Sequence, residues 1–225
     1  GRDRGRCMIP VTPVPEPPDF GACVRQRGLD AIAELVGEPP AVKRPGRKRQ
    51  VVALRREDIP SEKFPPFWRE VLPDMLAAYD RLCAYLALHI EPATGNPSVD
   101  HVVPRSKAWD QVYEWSNYRL TAARINAKKN DLEIVLDPFT IPEGLFALEF
   151  VEFQVIPGPA AGAQLNDVTK TVETLGLNLR ECCIARQAYF DSYLAGEISL
   201  PYMERRAPFV AQEMRRQSRL RAPDV

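Results

Sequence analysis

The sequence predicts an α+β fold with few, short strands, and three observations carry that prediction. Leu72, Met75, Leu76, Tyr79, Leu82, Cys83 and Leu86 recur at spacings of three and four, the period of one apolar helical face. SVDHVVP (98–104) and YRLTA (118–122) are short β-prone runs bounded by turn residues or proline. Eleven of the 22 prolines fall within the first 66 residues, which makes residues 1–65 a Pro-rich, basic N-terminal arm. Residues 66–140 then form a compact core, and 141–225 a C-terminal strand and helical region packed on it.

In chain order, PVTPVPEPP is read as extended. LDAIAELV (29–36) forms a short helix closed by Gly37 and the Pro39–Pro40 pair, and QVVALRR a short strand. The clearest helix starts near Pro73, a residue suited to a first turn, and runs to Ile90. EPATGNP (91–97) is a turn. The two short strands follow, with a loop of about a dozen residues between them, and ARINAKKND opens a helix. LFALEFVEFQVIPG (145–158) alternates as a strand. Asp167 caps a helix ending at Gly176, Asn178 caps a longer one ending at Gly196, and an amphipathic helix around FVAQEMRRQSRL ends the chain.

Composition narrows the classes. A hydrophobic fraction of 45% and a charged fraction of 27% suit a globular chain with a sizeable core. There is no apolar run of the roughly 18 to 20 residues a membrane span needs, and the N-terminus has no secretion-signal centre, so the expectation is a cytoplasmic protein without a membrane partner. Cys7, Cys23, Cys83, Cys182 and Cys183 are odd in number, scattered and free of any CxxC pair, which speaks against a disulfide framework and against structural zinc. Formal net charge is zero, but three stretches are basic. Residues 43–56 hold seven cations and no acid, while 101–130 and 203–222 each hold six cations against two acids. Three such stretches in a neutral chain point to a polyanionic partner.

Residues 98–130 hold the chemistry. Asp100 and His101 adjoin at the end of the first short strand, and on a regular strand they face opposite ways. A helix packed across the strands brings Asn126 to Asp100. Their carboxylate and amide oxygens are hard ligands, suited to Mg²⁺ or Mn²⁺ with positions left for water and phosphate. His101 is a poor ligand for such an ion but a suitable general base, with an ordinary pKa near 6.5. Asn117 ties the loop backbone so that the His101 ring is held in one orientation. Arg105, Lys107, Lys128 and Lys129 are placed to grip flanking phosphates.

The segment VDHVVPRS…WSNYRL…INAKKN resembles the HNH endonuclease motif of the ββα-metal fold, in the variant with Asn at the third position. His101, Asn117 and Asn126 occupy the three motif positions, and Lys129 completes N-x-x-K. The resemblance implies a metal-dependent endonuclease, with DNA favoured as substrate, His101 as base, Asn117 as loop-orienting residue, and Asp100 and Asn126 as ligands of Mg²⁺ or Mn²⁺. LCAYLALHI and YEWSNYRL are further similar to bacterial phage-defence and retron-associated HNH proteins, which implies an ABC- or SMC-like ATPase partner. The alternatives are an RNA-cleaving HNH nuclease and a non-catalytic subunit that docks on nucleic acid or on the ATPase. The sequence departs from the zinc-bearing members: Leu86 stands where a second cysteine after Cys83 would fall, and Ile125 precedes Asn126. His89 and Asp137 are read as structural, Glu133 as structural with the metal's outer shell as its alternative, and Trp109, Tyr113, Trp115 and Tyr118 as packing around the loop.

Overall fold

The computed structural model describes residues 10–43, 45–46, 49–133 and 136–224, and the fold is mixed α and β. Its helices are α1 (Gln26–Leu35), α2 (Leu72–Ala78), α3 (Ala123–Lys129), α4 (Leu165–Leu175), α5 (Arg180–Leu194), α6 (Leu200–Arg206) and α7 (Pro208–Arg216). Its strands are β1 (Pro97–His101), β2 (Tyr118–Ala122), β3 (Phe146–Leu148) and β4 (Val155–Pro157). Among the described residues β1 pairs with β2 alone, antiparallel, with Asp100 opposite Arg119 and His101 opposite Tyr118; β3 and β4 form a second hairpin. Helix α3 follows β2 without a break and packs on β1.

The apolar period that predicts a helix up to Ile90 is used differently. α2 stops at Ala78, and Asp80 and Arg81 take positive φ of 50° and 59°, which a helix cannot contain. Leu82 then bridges His89, and the Cys83 N–H donates to the Leu88 carbonyl at 3.0 Å. The Ala84 N–H donates at 2.7 Å to the carbonyl of Leu120 in β2. The apolar residues therefore line a tight turn pressed on the β1–β2 hairpin, whose backbone bonds close the turn itself, with Ala84 bonded to β2 and His89 to the Arg206 carbonyl.

Other elements differ for equally local reasons. The run 145–158 folds back because the Glu149 carboxylate accepts the N–H groups of Val151 (2.7 Å), Glu152 (3.0 Å) and Gln154 (2.8 Å), closing a turn. The Asn178 amide does not cap α5; it pairs with the N–H and C=O of Val155 at 2.7 and 2.9 Å, joining β4 to the helix pair. α4 starts at Leu165, which puts Asp167 inside the first turn, and Gly176 closes it at φ 62°. α6 was not anticipated; the Ser199 hydroxyl caps it by accepting from the Tyr202 N–H. Among the described residues of QVVALRR there is no strand, although the Val52 N–H reaches the Leu35 carbonyl at 2.8 Å.

Buried side chains from Val11 to Met214 form one hydrophobic cluster, so segments 1–65, 66–140 and 141–225 share a core. The proline-rich stretch is irregular but held down. The Val11 N–H donates to the Pro138 carbonyl (2.8 Å), and the Trp115 indole donates to the Val14 carbonyl (2.9 Å). Gly28 is required in α1 by close approach, since a Cβ there would lie 2.1 Å from the Tyr113 ring. Among the described residues no helix is long and apolar enough to cross a membrane.

The basic stretches look different in three dimensions. Arg49 pairs with Glu34, Arg55 with Asp58, Arg56 with Glu38, Arg124 with Glu181, Arg206 with Glu91, Arg215 with Glu204, Arg216 with Glu213 and Arg221 with Asp224. Apart from Arg216–Glu213, whose carboxylate is buried, these pairs are solvent-accessible and add little stability, but all of them cancel field locally. The sequence surplus of cations is therefore not a surface surplus of the same size.

Candidate functional site

The free edge of β1 organises the site. Hydrogen bonds from the Val102 N–H to the Asn117 carbonyl (2.9 Å) and from the Ala123 N–H to the Asn96 carbonyl (2.8 Å) flank the ladder. By antiparallel alternation, Ser98 and Asp100 then direct their backbone groups at β2, whereas Val99 and His101 direct theirs at the free edge. α3 lies beside that edge. Asn126 Nδ2 donates to the Val99 carbonyl (3.1 Å) and Ser98 Oγ (2.7 Å), and Lys129 Nζ donates to the His101 carbonyl (2.6 Å). Two side chains three residues apart thus stand in for a missing third strand. Three helical residues rise about 4.5 Å and two strand residues about 6.8 Å; the long lysine spans the difference.

Asp100 and His101 point to opposite faces, as strand geometry requires. Asp100 faces α3 and the 82–89 turn, 2% exposed. Its Oδ2 accepts from the Tyr85 hydroxyl at 2.6 Å, and its Oδ1 lies 3.1 Å from Lys129 Nζ. Burial raises the carboxyl above its ordinary pKa, opposed by Lys129, Tyr85 and Arg119. Burial also pushes the Tyr85 phenol up, which keeps it a donor.

His101 turns the other way, 7% exposed, with its ring met edge-on by Trp68 (4.8 Å) and Tyr118 (5.1 Å). Its Nε2 lies 3.0 Å from the Val112 carbonyl, an acceptor only, so Nε2 carries the proton and Nδ1 presents a lone pair. Nδ1 makes no hydrogen bond within the described residues. The free-solution value near 6.5 does not carry over: burial lowers the His101 pKa to about 3, against the Val112 bond that favours protonation.

Asn117 fastens both ends of the loop that aims this ring. Its Oδ1 accepts from the Val103 N–H (2.7 Å), and its Nδ2 donates to the carbonyls of Val103 (3.1 Å) and Gln111 (3.0 Å). Holding Gln111 fixes the next carbonyl, that of Val112, which also accepts from the Tyr118 hydroxyl at 2.8 Å.

All five β1 residues line one cleft of about 720 Å³. Pro97 to His101 form one wall, Trp68, Arg69 and Leu72 another, and Asn126 and Asn130 of the α3 end a third, with Arg105 beside them. Arg105 lies over Trp68 at 4.9 Å and donates to the Ser61 carbonyl. Lys107 and Lys128 are exposed but do not line the cleft. Lys129, expected to grip phosphate, is instead fully buried, and its ammonium is committed to Asp100 and the His101 carbonyl. Arg69, on a 3₁₀ turn (Phe67–Val71), and Tyr85, inside the run read as helix, were not anticipated. The aromatic residues Tyr113, Trp115 and Tyr118 are buried, as packing around the loop requires.

The donor set suits a hard divalent ion. Asn126 Oδ1 makes no hydrogen bond within the described residues, and each Asp100 oxygen, with two lone pairs, accepts one bond. Two such oxygens leave most of a Mg²⁺ shell to water and phosphate. Among the described residues no three or more His, Cys, Asp and Glu side chains converge as a metal-binding group. Cys83 Sγ lies 3.4 Å from both the Ala122 N–H and Thr121 Oγ1.

A stability prediction follows from His101. Its folded pKa of about 3 lies below the unfolded value, so the unfolded chain binds more protons between them. Stability is complete above pH 6.5 and falls as pH drops toward 3, at up to about 1.4 kcal/mol per unit. Chemical denaturation of the wild type and of His101→Gln at pH 7 and pH 5 should show about 2 kcal/mol more acid loss in the wild type.

Comparison with family models, with curated proteins and with solved structures yields no match in any of the three.

Proposed function

We propose that the chain is an endonuclease of the HNH, ββα-metal kind that hydrolyses phosphodiester bonds in nucleic acid, DNA before RNA. The observation that carries this reading is that Asp100, His101 and Asn126 all line one cleft at the edge of β1, with Asn126 Oδ1 free of any hydrogen bond within the described residues. Asp100 and Asn126 would hold the ion. When bound, it would supply positive charge to offset the negative charge that grows on the reacting phosphate.

The protein's own groups do the rest. His101 Nδ1 takes a proton from a water placed for in-line attack on phosphorus, while Nε2–H donates to Val112 and supports the imidazolium that forms. A base with so low a pKa is always in the accepting form near neutrality but is intrinsically weak, so the ion and positioning carry more of the rate. Arg69 and Arg105 supply cationic groups on the cleft wall for flanking phosphates.

One observation favours a second reading, a non-catalytic subunit that docks on nucleic acid or on an ATPase: Asp100 already faces a cation, Lys129. Mn²⁺ titration of the purified chain separates the two. The nuclease reading expects saturable binding that weakens by at least tenfold in Asn126→Ala, and equal titrations for both proteins would remove Asn126 as a ligand.

A further inference from the structure

Lys129 has a spacing that invites one role and an environment that assigns another. Its side chain is 1% exposed and that of Asp100 is 2% exposed, so neither reaches a nucleic-acid backbone from its observed place. The ammonium meets the Asp100 carboxylate at 3.1 Å and the carbonyl of the next residue, His101, at 2.6 Å. From the opposite side the Tyr85 hydroxyl donates to the other Asp100 oxygen at 2.6 Å. One cation thus bridges a side chain on one face of β1 and the main chain of the residue whose ring occupies the other face.

A buried ion pair is weak evidence for stability, because desolvation offsets most of the attraction. What this pair does supply is geometry. Asp100 is clamped at both oxygens. The His101 carbonyl, on the free edge of a two-stranded sheet, has no neighbouring strand to hold it, and Lys129 takes that place.

We propose that Lys129 is a positioning residue, seated with Tyr85 behind the strand end, which fixes the aim of Asp100 and His101 together and does not grip phosphate. The inference rests on the nuclease reading. Groups that orient ligands from behind typically contribute 10- to 100-fold to metal affinity or activity.

The test uses the full chain as wild type, Lys129→Met and Tyr85→Phe, with folding checked by circular dichroism. Mn²⁺ affinity is measured without nucleic acid, and kcat and KM on a labelled DNA duplex. The expected result is Mn²⁺ binding and kcat each reduced by about 10- to 100-fold in both variants, with KM for the duplex unchanged. A raised KM with unchanged kcat would make Lys129 a phosphate contact and overturn the proposal. If Lys129→Met does not fold, Tyr85→Phe decides alone, since it removes one hydroxyl and keeps the ring; wild-type kcat and Mn²⁺ affinity in it overturn the proposal. A wild type that binds Mn²⁺ and cuts, beside variants that match it, sinks this inference only. A wild type that neither binds nor cuts sinks the nuclease reading and this inference with it.

Discussion

Replacing His101 with alanine should lower phosphodiester cleavage by about 10²- to 10⁴-fold, the usual contribution of a general base, while the chain stays folded and still binds nucleic acid. The fold should survive because the bond that His101 makes is shared. The Val112 carbonyl also accepts from the Tyr118 hydroxyl at 2.8 Å, so no buried acceptor is orphaned when the ring is removed. The loop stays fastened by the three bonds of Asn117, none of which involves the imidazole. Binding should survive because His101 is 7% exposed and contributes little surface to a ligand. Single-turnover cleavage of a labelled duplex, beside fluorescence anisotropy of the same duplex, reads the two properties separately. Undiminished cleavage would remove His101 from the chemistry; lost binding with normal cleavage at saturation would make it a contact residue.

Asp137→Ala is expected to have the largest effect on stability, about 3 to 5 kcal/mol toward the lower end. Arg119 sits on β2 directly opposite Asp100, with its side chain 3% exposed and that of Asp137 20% exposed. The guanidinium Nε donates to Asp137 Oδ1 at 2.8 Å, Nη1 donates to the carbonyls of Ser116 and Tyr118, and the group lies 3.4 Å from the Phe139 ring centre. Removing the carboxylate leaves a buried cation without its counterion, and breaks the bond from the Phe139 N–H to Asp137 as well. Asp58→Ala is the internal contrast. It breaks an exposed pair with Arg55 and should cost less than about 1 kcal/mol. Urea denaturation of the two variants gives the comparison, and similar small losses would show that the Arg119 cluster does not hold the hairpin.

The elements around the candidate site were legible because their signals are local. YRLTA is β2 as read, SVDHVVP holds most of β1, and ARINAKK is α3, since β-branched residues, the Pro104 stop and the switch of period all lie within a few residues. The coarse α+β class was legible for the same reason. What failed depended on partners distant in sequence. The residues from Leu82 to Ile90 have a helical period, yet their backbone closes a turn that bonds β2 through Ala84 and α6 through His89, and no nearby residue reveals that. Asn178 looks like a helix cap and instead pairs with Val155, 23 positions away. Lys129 looks like a phosphate ligand until α3 is laid on β1, when it becomes the least exposed cation near the site. Tyr85 was hidden by the same misreading of its segment, because only the turn aims its hydroxyl at Asp100. The low pKa of His101 was likewise out of reach, since it arises from burial, and rings packed on the imidazole come from residues 68 and 118.

The most direct test of the site is incubation of the purified full chain with supercoiled plasmid, and separately with single-stranded RNA, in Mg²⁺ or Mn²⁺ and then in EDTA. Nicked or linear DNA that accumulates with the divalent ion and disappears with EDTA is the predicted result. Substrates left intact in both metals by a chain that binds Mn²⁺ no better than Asn126→Ala would contradict it.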